Sequence, residues 1–137
     1  MDQHLIAAAI ERAMLKDMEW GKDDCCLWVC DLIAEATRVD LAKPLRGYRS
    51  RIGAARRLKA YASGGLVEAA IKLAATARLK PAVWPWSGAL VGVVSDTNGP
   101  ALAIFHNGAW LGRTQRGVTA LPPHAAVIAW ELPKCRR

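Results

Sequence analysis

The stretch WGKDDCCLWVCDLI, residues 20–33, joins a polar turn to an apolar run. A helix start leaves backbone N–H groups without partners, so an aspartate there caps it and negative charge is favoured. Asp23 and Asp24 stand where such a cap belongs. Leu27, Trp28, Val29, Cys30, Leu32 and Ile33 then wrap most of a helical circumference, and only Asp31, Glu35 and Arg38 form a polar stripe. This pattern predicts a helix from Asp23 or Asp24 to about Arg38, packed on several sides. Cys25 and Cys26 open it. A cysteine at a helix head is either a thiol presented for chemistry or an inert small hydrophobe.

On the N-terminal side, Leu5, Ile6, Ala9, Ile10, Ala13 and Met14 repeat at helical spacing. They predict a helix from about Gln3 to Asp17, capped by Asp2. On the other side comes a loop, VDLAKPLRGYRS, then a basic helix from about Arg51 to Tyr61. Ser63-Gly64-Gly65 stops it, and a short helix from Leu66 to about Thr76 follows. The text changes at LKPAVWPWSG, where Trp84 and Trp86 flank Pro85 as a packing corner. After Gly88 it is strand-like: ALVGVV, ALAIF, AWLG, GVTALP and AVIAWEL. Asn98-Gly99 and Asn107-Gly108 are hairpin signals between apolar runs. The layout is α+β in a single domain over residues 1–137, helical to about residue 80 and antiparallel from about 88 to 132. The cysteine-headed helix should pack on a sheet of at least three strands, with Leu27, Trp28, Val29, Leu32, Ile33, Ile104 and Trp130 in the core.

The 137 residues suit one core, and 53% hydrophobic with 23% charged residues is a globular composition. No secretory signal and no run of ~20 apolar residues is present, so a soluble product made in the bacterial cytoplasm is expected. Cys25, Cys26, Cys30 and Cys135 make no disulfide framework, and His4, His106 and His124 stand singly, so no metal and no cofactor are expected. The formal charge of +7 is uneven. Residues 41–67 hold no acid, and their Arg46, Arg49, Arg51, Arg56, Arg57 and Lys59 form a candidate docking surface. Its partner would be an acidic protein surface, a cell-wall polymer or nucleic acid; a solvated helix face is the plainer alternative.

A W-G-x-x-D-C start to a buried helix, the RGYRS and SGG segments, the strands from Gly88 and the closing AVIAWEL together resemble the NlpC-type papain-like cysteine peptidases. The resemblance is to their small phage and prophage relatives encoded among tail genes. It implies a papain-like fold, Cys25 as the candidate nucleophile, other tail proteins as partners and a place in the virion tail. Active members carry a histidine at the start of a central strand. In PALAIFHNG that position falls on Ala101, and Gly88 is followed by Ala89 where the family often has Gly-Asp. His106 is the remaining candidate base, but it lies roughly 16 Å along the strand and on the opposite face from Ala101. It adjoins the Asn107-Gly108 turn; His124 should begin the last strand, and His4 lies in the first helical turn.

Three readings follow. The first is a catalytically degenerate papain-like domain that serves as a structural or assembly part near a phage tail tip. The second is an active cysteine amidase or endopeptidase on peptidoglycan peptides. The third is a basic nucleic-acid-binding or regulatory module. Losing general acid–base help typically costs ~10² to 10⁴ in rate, which favours the first over the second.

Overall fold

The computed structural model describes residues 2–97 and 99–133. The readings placed on Asn98 and Cys135 lie outside them. Four helices precede five strands: α1 (Gln3–Leu15), α2 (Leu27–Thr37), α3 (Arg51–Tyr61), α4 (Leu66–Thr76), then β1 (Leu90–Asp96), β2 (Gly99–His106), β3 (Ala109–Arg113), β4 (Val118–Leu121) and β5 (Ala126–Glu131). The strands form one antiparallel sheet in the order β4-β3-β2-β1-β5. The chain is α+β, with helices first and the sheet second.

Asp2 caps α1 by accepting from the backbone N–H of His4 at 2.8 Å. The helix ends two residues before the expected Asp17. Its last carbonyls have another partner: the Arg113 guanidinium on β3 donates to Ala13 O at 3.0 Å and to Lys16 O at 3.1 Å. A cation at a helix C-terminus satisfies orphan carbonyls and opposes the helix dipole, so the chain turns off there. Asp17 instead sits opposite Arg116 as a single antiparallel bridge.

Alternation along the strands divides the core in two. Val91, Val93, Leu102, Ile104 and Trp130 join Leu27, Val29, Ile33 and Ile6 on the helical side. Leu90, Val94, Ala103, Phe105, Trp110 and Ala129 form a second cluster on the other face. Gly92 belongs to that second face, and a Cβ there would stand 2.8 Å from the Trp110 ring. The indole therefore fits this close to the strand only because the residue beneath it is glycine. The Nε1 atoms of Trp86 and Trp110 both donate to Pro123 O, at 2.9 and 3.0 Å. The expected packing corner is Trp86; Trp84 meets it edge-on and stays 58% exposed.

All seven core residues expected from sequence are buried. His124 departs from expectation. It lies in a short 3-10 turn, Pro123–Ala125, ahead of β5, because the fixed φ of Pro122 and Pro123 sets up a turn before the strand begins. No helix among the described residues is long and apolar enough to cross a membrane.

Candidate functional site around Cys25

Asp24, not Asp23, holds the entrance to α2. Its carboxylate is fully buried and accepts four hydrogen bonds. Oδ1 takes the backbone N–H groups of Cys26 and Leu27 at 3.1 and 3.0 Å. Oδ2 takes the N–H of Gly21 at 2.9 Å and the hydroxyl of Tyr48 at 2.7 Å. Asp23 turns the other way: Oδ1 accepts from Glu19 N, and Oδ2 lies 3.4 Å from the buried Arg113 guanidinium. Both acids of the motif are therefore structural.

Gly21 completes the turn. Its φ is +86°, and a Cβ would stand 2.1 Å from Tyr48 O. No other residue type fits so close to a backbone oxygen. Sequence reasoning missed the tie from this turn to Tyr48, 24 residues away, and the role of Arg113. No local pattern signals either one. An arginine ending an amphipathic strand reads as surface, yet only its Nε lacks a partner.

Cys25 lies in the turn that Asp24 caps, ahead of the regular helix, which starts at Leu27 rather than at the cysteine. The Asp24 carboxylate takes the Cys26 and Leu27 N–H groups that open the helix, and the backbone N–H groups of Cys25 and Cys26 that favour a thiolate are outweighed. Burial, then the charge of Asp24, then Cys26 push the Cys25 thiol up to about 11. At neutral pH it is a thiol. Cys30, one turn along from Cys26, is held protonated by its hydrogen bond with Cys26 and by burial. Tyr48 is also raised, by burial and then by its bond to Asp24.

Two cavities meet at Cys25. One, of about 490 Å³, lies beneath α3 and is walled by Leu45, Tyr48, Ala54, Ala55, Leu58 and Leu66. The other, of about 340 Å³, opens between β2 and β3 and includes Gly112, Arg113 and Thr114 in its wall. Trp20, Cys25, Arg51, Pro100, Ala101 and Leu102 border both. No histidine lines either one.

Ala101 lies at the mouth, yet it packs with the second cluster, on the sheet face away from the helices. Leu102 is the β2 neighbour that joins the helical core. His106 ends β2 opposite Ala109 at the hairpin; burial lowers its pKa, and it is not brought to Cys25. His4 stands at the start of α1. Among the described residues, no group of three or more His, Cys, Asp or Glu is placed to hold a metal ion.

The basic residues divide. Arg46 is paired within the chain: Nη2 lies 2.9 Å from Asp40 Oδ1 and also reaches Asp31, while Nε donates to Asp40 Oδ2 at 3.0 Å. The pairing raises the arginine and lowers Asp40. Arg57 donates to Arg46 O at 2.9 Å, and its side chain is otherwise exposed. Arg49, Arg51, Arg56 and Lys59 are exposed as expected.

No curated protein and no solved structure matches this chain significantly. A family model does match, over residues 2–132, and the chain belongs to that family, DUF6950, a domain of unknown function.

Proposed function

We propose that this chain is a papain-like domain of the NlpC type that has lost its chemistry and serves as a structural or assembly part of a phage or prophage tail. The carrying observation is Cys25 itself. It borders an open cleft at the head of a buried helix, where a nucleophile would stand, but no histidine borders that cleft and burial beside Asp24 keeps the thiol protonated. Without an adjacent base, neither thiolate formation nor protonation of a leaving amine is assisted. The buried Asp24 is no substitute, since its carboxylate already accepts four hydrogen bonds. The tail setting rests on the resemblance alone.

Two measurements test this. The first is the alkylation rate of Cys25 against pH, read by peptide mass mapping. A thiol raised to about 11 reacts through its thiolate fraction, so the rate should climb about tenfold per pH unit past pH 9 and level only near 11. A plateau below ~pH 7 would reveal an activated nucleophile. The second is complementation of a phage or prophage lacking this gene. Cys25→Ala should restore infectious particles to the wild-type count. Complete tails that assemble with Cys25→Ala but fail to infect would instead identify an active peptidoglycan amidase.

A further inference from the structure

The cleft is more elaborate than a spent active site requires. Helix α3 buries none of its residues, yet Ala54, Ala55 and Leu58 present an apolar inner wall to the cavity beneath it. The opposite wall is a strand with one side open. β2 pairs with β1 from Gly99 to Phe105. Its ladder to β3 covers only Ile104–His106. β3 continues to Arg113, pairing there with β4 instead, and the second cavity fills the space between the diverging strands. A continuous cleft thus runs from under α3 to the open side of β2.

Among the described residues, the charged side chains that line the two cavities are Arg51, Arg113 and the buried Asp24. Arg51 borders both cavities, and Arg49 and Arg56 are exposed on and just before the same helix. The nearby acids are engaged: Asp24 is buried under four hydrogen bonds, and Asp31 and Asp40 face Arg46. We propose that this cleft is a docking groove for an extended, acidic segment of a protein partner, added alongside β2 at Gly99–Ala101. An extended chain offers backbone groups to a strand edge and sends alternate side chains to opposite sides. Apolar side chains of the segment enter the cavity beneath α3, and the carboxylates between them reach Arg51 and Arg49. The inference rests on the non-catalytic reading in one respect, that the segment is held and not cut. A flat basic surface would suit a nucleic-acid backbone; a recessed apolar slot beside a strand suits a peptide.

The probe is a fluorescein-labelled heptapeptide mixture with glutamate at alternate positions and leucine, valine or phenylalanine between them, followed by anisotropy. A second mixture carries lysine for glutamate. Wild-type protein should bind the acidic mixture, more weakly as salt rises, and ignore the basic one. Arg51→Glu should weaken binding by at least about tenfold, as for a central arginine at an interface. Ala55→Trp, which fills the groove from an exposed position on a helix with no buried residues, should do the same with an unchanged melting curve. Cys25→Ala should bind as wild type. Undiminished binding by Ala55→Trp, equal binding of the basic mixture, or no binding of the acidic one overturns the groove. So does tighter binding of duplex DNA than of the acidic mixture at physiological salt. Cleavage of the bound mixture by wild type but not by Cys25→Ala supports the groove and overturns the non-catalytic reading, so the two fail separately.

Discussion

Helices α2 and α3 have the same length, eleven residues, and opposite situations. Eight residues of α2 are buried and none of α3 is. Each begins at a side-chain cap: Asp24 for α2, and Ser50, which accepts from Gly53 N at 3.0 Å, for α3. The Asp24 cap lies under the core and holds Tyr48 as well; the Ser50 cap is in solvent. Helix α2 is held by tertiary burial at about 1.5–3 kcal/mol per large apolar side chain. Helix α3 contains Gly53 and has little packing to offset it, so its cap and the Arg57 bond to Arg46 O carry more of its order. A scaffold and a displayed element have been built from the same secondary structure. That division makes α2 part of the core and leaves α3 displayed.

The same substitution on both helices gives the sharpest contrast. Ile33 on α2 is 1% exposed and Ile52 on α3 is 66% exposed. Ile33→Asp should abolish cooperative folding, since an unpaired charge cannot be accommodated in that core. Ile52→Asp should change stability by under about 0.5 kcal/mol, as surface substitutions usually do. Urea unfolding followed by circular dichroism measures both. A folded, cooperative Ile33→Asp would break the comparison.

The caps come next in size. Asp24→Ala leaves three backbone N–H groups and the Tyr48 hydroxyl without their acceptor, a loss of about 3 kcal/mol or more. Ser50→Ala removes one solvent-exposed bond and should cost about 1 kcal/mol or less. Equal losses would mean that the Asp24 network carries no more than an isolated cap. The smallest effect belongs to the charges on α3. Arg56→Glu and Lys59→Glu should leave the unfolding midpoint within about 0.5 kcal/mol of wild type, because neither side chain is buried. A larger loss in either would turn α3 from a displayed element into part of the scaffold.

Much of this contrast is written locally. The apolar circumference of residues 27–33 marks a buried helix, and the acid-free run after Asp40 marks an exposed one. Periodicity reports how many faces of an element must leave water, and the strand text with its turn residues works in the same way. Local pattern does not name the partner of a side chain. It left the choice between Asp23 and Asp24 open, since either spacing can cap a helix. It grouped Arg46 with the exposed basic residues and did not show its pairing with Asp31 and Asp40.

The sequence by itself determined the α+β order of elements, the buried helix behind the cysteines and the seven core positions, because these follow from backbone propensity and hydrophobic spacing. Only the tertiary structure decided what Cys25 faces. Its thiol state depends on burial and on the Asp24 charge. Its neighbours across the cleft, Pro100 to Leu102, arrive from a strand some 75 residues away. Whether Ala101 or Leu102 faces the helices depends on sheet register, where a shift of one residue reverses every side chain. Electrostatics and register are properties of contacts between distant segments, and no local window of the chain contains them.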